Sequence, residues 1–264
     1  MNKYAKIQGI TIVVLYICLI LCLTIPCYGK NESISWYCIR NKDHRQPVAD
    51  QRLSVVESHE GYYVDKKHGD SSSDKVVYLT FDAGYENGNI EKILNVLKEE
   101  QVPAAFFVLG NLIQKNTDLV KRMISEGHLV CNHTMHHHDM TKMGSEQEFA
   151  RELLSLESLY TEKTGQTLAK YYRPPEGRFT EDNLRYAEKL GYKTIFWSIA
   201  YADWDNEKQP TTQYAKNKIL ENLHNGAVIL LHPTSATNAT IIKDLITEIR
   251  AQGYRFGTLD ELTK

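Results

Sequence analysis

From Val76 onward the chain alternates between short apolar runs and longer stretches with apolar residues at helical spacing. VVYLTF is followed by NIEKILNVLKEE, where Ile90, Ile93, Leu94 and Leu97 share one helical face. AAFFVLG then precedes a helix through LVKRMISEG, and LVCNH precedes SEQEFARELLSLESLYTEKTG. KYYRPP leads to TEDNLRYAEKLG, TIFWSIA to YAKNKILENLHNG, AVILLH to TIIKDLITEIRAQG, and YRFGTL follows. Strands that are apolar throughout are buried on both faces, which calls for a parallel sheet covered by helices. Six or seven such units in residues 76–264 favour an α/β barrel over an open sheet. Gly127, Gly165, Gly191, Gly226 and Gly253 read as helix stops.

The N-terminus follows another pattern. MNKYAK carries two lysines, and the next charge after an apolar, uncharged stretch is Lys30. A basic start followed by an apolar run marks export, so residues 1–29 are expected to be a cleaved signal peptide or a retained membrane anchor. Everything beyond is expected outside the cytoplasmic membrane, as a monomer that meets the membrane only through this segment. Residues 30–75 are polar with little periodicity and read as a loose N-terminal extension on the domain edge. Three of the five cysteines lie in the export segment, leaving Cys38 and Cys131 either bridged or free. A net charge of −2 offers no basic field for nucleic acid.

In parallel α/β folds the chemistry gathers at the carboxyl ends of the strands. Asp82, His133, Arg173, Asp203 and His232 stand there. Each alone could cap a helix or sit in a solvated turn; five such caps together are much less expected. His133 and His137, four residues apart, can meet one metal where a strand runs into a short turn, with His136 and His138 competing for the role. Neutral imidazole suits zinc, and a catalytic zinc keeps a position for water. No HEXXH, GxSxG or P-loop signature is present.

In this order the residues resemble the polysaccharide deacetylase family, the NodB-homology or carbohydrate esterase family 4 domain. TFDAG, HTMHH, RPPEG, the end of YADW, and LLH match its five motifs from about Val76 to Leu262. TFDxGYENG, WYCIRNKDHRQP and FWSIAYADW resemble the spore-cortex branch. Those enzymes deacetylate N-acetylmuramic acid so that the freed amine closes a muramic δ-lactam.

The resemblance implies a distorted (β/α) barrel and a divalent metal, zinc being the expected ion. Asp82 would be the general base, with Arg173 holding its carboxylate. His232 would be the general acid, held by Asp203. His133 and His137 would bind the metal. Trp204 and Leu230 would wall the acetyl pocket, and a backbone N–H after Pro175 would meet the oxyanion. The expected partner is a peptidoglycan glycan strand. Two departures stand out: Ala83 replaces the family's third metal ligand, and Glu176 stands where an aromatic residue is common. The runner-up readings are a deacetylase of chitin, xylan or peptidoglycan N-acetylglucosamine, and an inactive wall-binding module.

Overall fold

A computed structural model describes residues 32–40 and 43–264. The expected export segment lies outside the described residues, among which no helix is long and apolar enough to cross a membrane. Residues 33–264 pack as one unit.

Eight strands form the main sheet: β1 (Gly61–Tyr62), β2 (Val76–Ala83), β3 (Ala105–Val108), β4 (Leu129–Asn132), β5 (Tyr171–Tyr172), β6 (Lys193–Ile195), β7 (Ala227–Leu231) and β8 (Arg255–Phe256). Their order is β7-β2-β3-β4-β5-β6-β1, with β8 also on β2, and every pairing is parallel. The sheet curls until its ends meet. Val64, just past β1, bridges Ala227, and Ile199, past β6, bridges Ile229. This is the expected barrel, and the intrusion of β1 between β6 and β7 is its distortion.

Side-chain alternation builds two layers of core. Val76 and Tyr78 of β2, with Ala105 and Phe107 of β3, fill the barrel interior beside Cys131. Val77, Leu79, Phe81 and Ala83, with Phe106 and Val108, pack outward. There they meet helices α1 (Asn89–Glu99), α2 (Gly110–Lys115), α3 (Thr117–Ser125), α6 (Thr212–Leu220) and α7 (Ala236–Ala251). The expected helical face of α1 is fully buried. Helix α4 (Glu146–Thr164) begins on Ser145, whose side chain accepts from Glu148 N, and ends on Gly165 at φ 73°. Helix α5 (Glu181–Lys189) opens on a Thr180–Asn183 capping box. Gly226 is the exception among the expected stops. It lies six residues beyond Leu220, the end of α6, and its φ of 74° admits a backbone that passes the Asp65 carbonyl too closely for a side chain.

The lead-in segment is no loose extension. It supplies β1 to the sheet, and Ile34–Ser35 pairs antiparallel with Arg178–Phe179. Trp36 is buried against Tyr63 and Phe196, and its indole donates to the Trp197 carbonyl at 2.9 Å. The Gln46 amide donates to the carbonyls of Asp65 and Asn225, joining the lead-in to the start of β7. Its order comes from long-range side-chain bonds, which leave no periodic trace in the sequence. Cys38 and Cys131 are both free.

Candidate active site

The parallel strands deliver their carboxyl ends to one rim. Asp82 is the penultimate residue of β2, His133 follows β4, Arg173 follows β5, and His232 follows β7. Asp203 arrives on the loop after β6.

Arg173 is fully buried, and strand groups take each of its nitrogens. Its Nη1 donates to Asp82 Oδ1 at 2.8 Å. Nη2 donates to Thr80 Oγ1 at 2.9 Å and the Phe196 carbonyl at 3.2 Å, and Nε to the Ile195 carbonyl at 2.9 Å. The guanidinium also lies over the Phe107 ring at 4.1 Å. Burial alone would raise the Asp82 pKa. The charge and hydrogen bond of Arg173, joined by the charge of His232, outweigh it, so the carboxyl sits below its ordinary range. Asp82 is therefore held ionised.

His232 is the counterpart. Its Nδ1–H donates to Asp203 Oδ1 at 2.7 Å, and its backbone N–H donates to Asp203 Oδ2 at 2.8 Å. Burial pulls the imidazole pKa down, but the hydrogen bond and charge of Asp203, joined by the Asp82 charge, lift it above its ordinary value. Asp82 and His232 thus stabilise each other's charged forms. Asp203 is itself fixed by Asn238 of α7, whose Nδ2 donates to Oδ2 at 2.6 Å and to the His232 carbonyl at 3.0 Å. The Tyr201 hydroxyl donates to Asn238 Oδ1 in turn.

Sequence reasoning missed Thr80 and Asn238. Thr80 was marked by alternation, since it shares the inner face of β2 with Asp82. Asn238 looks like an ordinary cap partner, and its N–H does donate to Ser235 Oγ at 3.1 Å.

The metal candidates also meet. His133 Nδ1 lies 2.8 Å from the Arg173 carbonyl, which can only accept. That fixes the proton on Nδ1 and leaves the Nε2 lone pair facing the site, 3.6 Å from Asp82 Oδ2. Burial pulls the His133 pKa down to about 4, so the ring stays neutral as a ligand must. His137 faces His133 edge-on, with ring centroids 5.1 Å apart. Two imidazoles beside a carboxylate fit a zinc-class ion. Ala83, buried in the outer apolar cluster, adds no donor atom. His136 and His138 do not join this pair; both turn to Glu152.

Trp204 is 61% exposed and meets the His232 ring edge-on at 6.1 Å. Leu230 is buried within β7. Pro175 is buried, and the next residue, Glu176, is exposed with a left-handed φ of 58°.

Comparison with known proteins agrees with this fold. A sequence profile described as polysaccharide deacetylase matches residues 69–195. The peptidoglycan-N-acetylmuramic acid deacetylase PdaA of Bacillus subtilis is 39% identical over 233 residues, 88% of this chain and 86% of PdaA. The chain belongs to the polysaccharide deacetylase family. An uncharacterised 30.6 kDa protein of Geobacillus stearothermophilus is 42% identical over 88% of this chain and 86% of its own. The solved structure of PdaA, a family 4 carbohydrate esterase, superposes with a TM-score of 0.82 at 38% identity, covering 88% of this chain and 97% of that one. Deacetylases of this family hydrolyse N-acetyl amide bonds, and an ionised carboxylate with an imidazole whose pKa is raised is the equipment for that reaction.

Proposed function

We propose that the protein removes the acetyl group from N-acetylmuramic acid in peptidoglycan, releasing acetate and a free amine. The observation that carries this is the rim itself, with a base and an acid each set by its own counter-charge. The likeness to PdaA over most of both chains supplies the substrate. In this reading Asp82 takes a proton from water, whose oxygen bonds to the acetyl carbonyl carbon. As the carbon–nitrogen bond breaks, His232 delivers its Nε2 proton to the departing nitrogen, while Nδ1 stays on Asp203. Arg173 keeps Asp82 charged until it takes that proton. The Glu176 backbone, turned left-handed after Pro175, offers its N–H toward the oxyanion, and Trp204 walls the acetyl pocket. A divalent ion on His133 and His137, zinc by its donor preference, would polarise the acetyl carbonyl as a Lewis acid.

The biological setting belongs to the same proposal. The apolar N-terminal segment exports the chain as signal or anchor, and the monomer acts outside the membrane on glycan strands of the spore cortex. Lactam closure needs a free lactyl carboxyl, so the substrate is muramic acid already stripped of peptide. The test is mass analysis of peptide-free glycan strands after treatment with the full-length protein. Loss of acetyl from muramic units is expected; loss from N-acetylglucosamine instead overturns the assignment. In a spore former, deletion is expected to remove muramic lactam from the cortex, and unchanged lactam would refute the cortex role.

A further inference from the structure

The run His136–His137–His138 sends its side chains two ways. The backbone at His137 is left-handed, at φ 60°, and its N–H donates to Thr134 Oγ1 at 2.9 Å. This turns the His137 ring toward His133 and leaves His136 and His138 together on the other side, their rings stacked with centroids 5.3 Å apart. Both point Nδ1 at one carboxylate oxygen, Glu152 Oε1, at 2.8 Å from His136 and 3.5 Å from His138. We infer that His136, His138 and Glu152 form a second divalent-metal site, separate from the His133–His137 pair, for an ion of the zinc class.

Three observations carry this. The first is spacing: ligand atoms of the three residues all lie within 4.8 Å of one another. A tetrahedral zinc with bonds near 2.0–2.1 Å sets its ligands about 3.3 Å apart. The two distances to Oε1 straddle that value.

The second is preorganisation. Glu152 belongs to α4 and its side chain is only 10% exposed. Its other oxygen, Oε2, accepts from the His136 backbone N–H at 3.0 Å, and its backbone carbonyl accepts from Met135 N at 3.2 Å. The carboxylate is therefore anchored to the loop that carries both imidazoles, with Oε1 turned toward them. The imidazoles are 57% and 59% exposed, which leaves an entry path and room for water as the remaining ligand.

The third is charge. Among the described residues, no lysine or arginine forms an ion pair with Glu152; its partners are the two imidazoles. The other candidate triad, His68, Asp74 and Glu261, differs on this point. Arg255 bonds both of its carboxylates and already supplies the cation.

Zinc titration of the metal-stripped full-length chain by calorimetry tests the inference, with Co²⁺ absorption reporting coordination. The double variant His136→Ala/His138→Ala is expected to bind one ion fewer than the parent. His137→Ala, which disrupts the inner pair, is expected to keep the outer ion. Glu152→Gln preserves an acceptor for the His136 N–H but removes the charge, and is expected to weaken that same ion at least tenfold with an unchanged melting curve. Equal stoichiometry and affinity in the parent and the double variant would overturn the proposal. So would a parent that binds a single ion, kept by the double variant and lost in His137→Ala.

Discussion

Asp82 stands on β2 and Arg173 directly after β5, both with little side-chain exposure, whereas Asp203 stands on a loop and its partner His232 keeps a quarter of its side chain exposed. Both pairs set the charge of one reacting group, but they depend on different scaffolds. The base side is tied to the barrel through Thr80, Ile195 and Phe196. The acid side is tied to one helix through Asn238. Damage to the base side should therefore reach the fold, and damage to the acid side should stay in the chemistry.

Asp82→Asn puts this contrast to its hardest test. Losing a general base typically costs about 10²–10⁴ in rate. Among the described residues Arg173 has no other carboxylate partner, so the variant also strands a buried guanidinium, at a cost of about 3–5 kcal/mol. Acetate release and denaturant melts are expected to fall together. A variant that is inactive yet melts like its parent would break the contrast.

Asp203→Asn should separate activity from stability. In the parent, Asp82 must be ionised and His232 protonated at once. The Asp82 pKa is lowered and that of His232 raised, so the bell-shaped profile should open below the usual carboxylate range and close above pH 6.5. Without the Asp203 charge the alkaline limb should move down, the acid limb should stay, and the melting temperature should change less than in Asp82→Asn. The linked stability has matching signs. The Asp82 contribution is lost as pH falls through its lowered pKa, and the His232 contribution as pH rises through its raised one. An alkaline limb that does not move in Asp203→Asn would remove His232 from the role of acid.

The same contrast shows what could be read from the chain. Asp82, His133, Arg173 and His232 were legible because parallel strands place whatever follows them on one rim, and because their motifs form a family signature. The lead-in was not. Its strand, Gly61–Tyr62, is two residues long and pairs with Thr194–Ile195, and Trp36 and Gln46 tie the segment to Trp197 and Asn225, more than a hundred residues away in sequence. The histidine cluster was half legible. Spacing nominated His133 and His137 but could not remove His136 and His138; the left-handed turn at His137 does that. Asn238 was hidden by its plausible second job as a cap.

Asn238→Ala should give a weaker copy of the Asp203 effect. The carboxylate stays but loses one of the donors that orient it, so kcat should drop several-fold with a small downward shift of the alkaline limb. A structural role alone would lower the melting temperature and leave the limb in place. Asn238→Asp, which puts a like charge beside Asp203, should do worse than alanine.

Trp204 should show the smallest effect of the four, for a reason the two pairs make clear. It supports neither of them; it stands mostly in solvent and touches His232 only with a ring edge at 6.1 Å. Aromatic contacts of this kind contribute about 0.5–1.5 kcal/mol beyond area burial, which corresponds to about 2- to 10-fold in rate or affinity. Trp204→Ala is thus expected to lower kcat/KM by that factor, mainly through KM, with the melting curve and both pH limbs in place. Trp204→Phe should recover most of the loss, because it restores a flat apolar wall. Leu230, the other residue assigned to the pocket, is the useful control: it is buried inside β7, and Leu230→Ala should cost about 2–5 kcal/mol of stability. If Trp204→Ala instead moved the alkaline limb, the indole would be tuning the His232 charge, and the acid side would depend on its loop as well as on its helix.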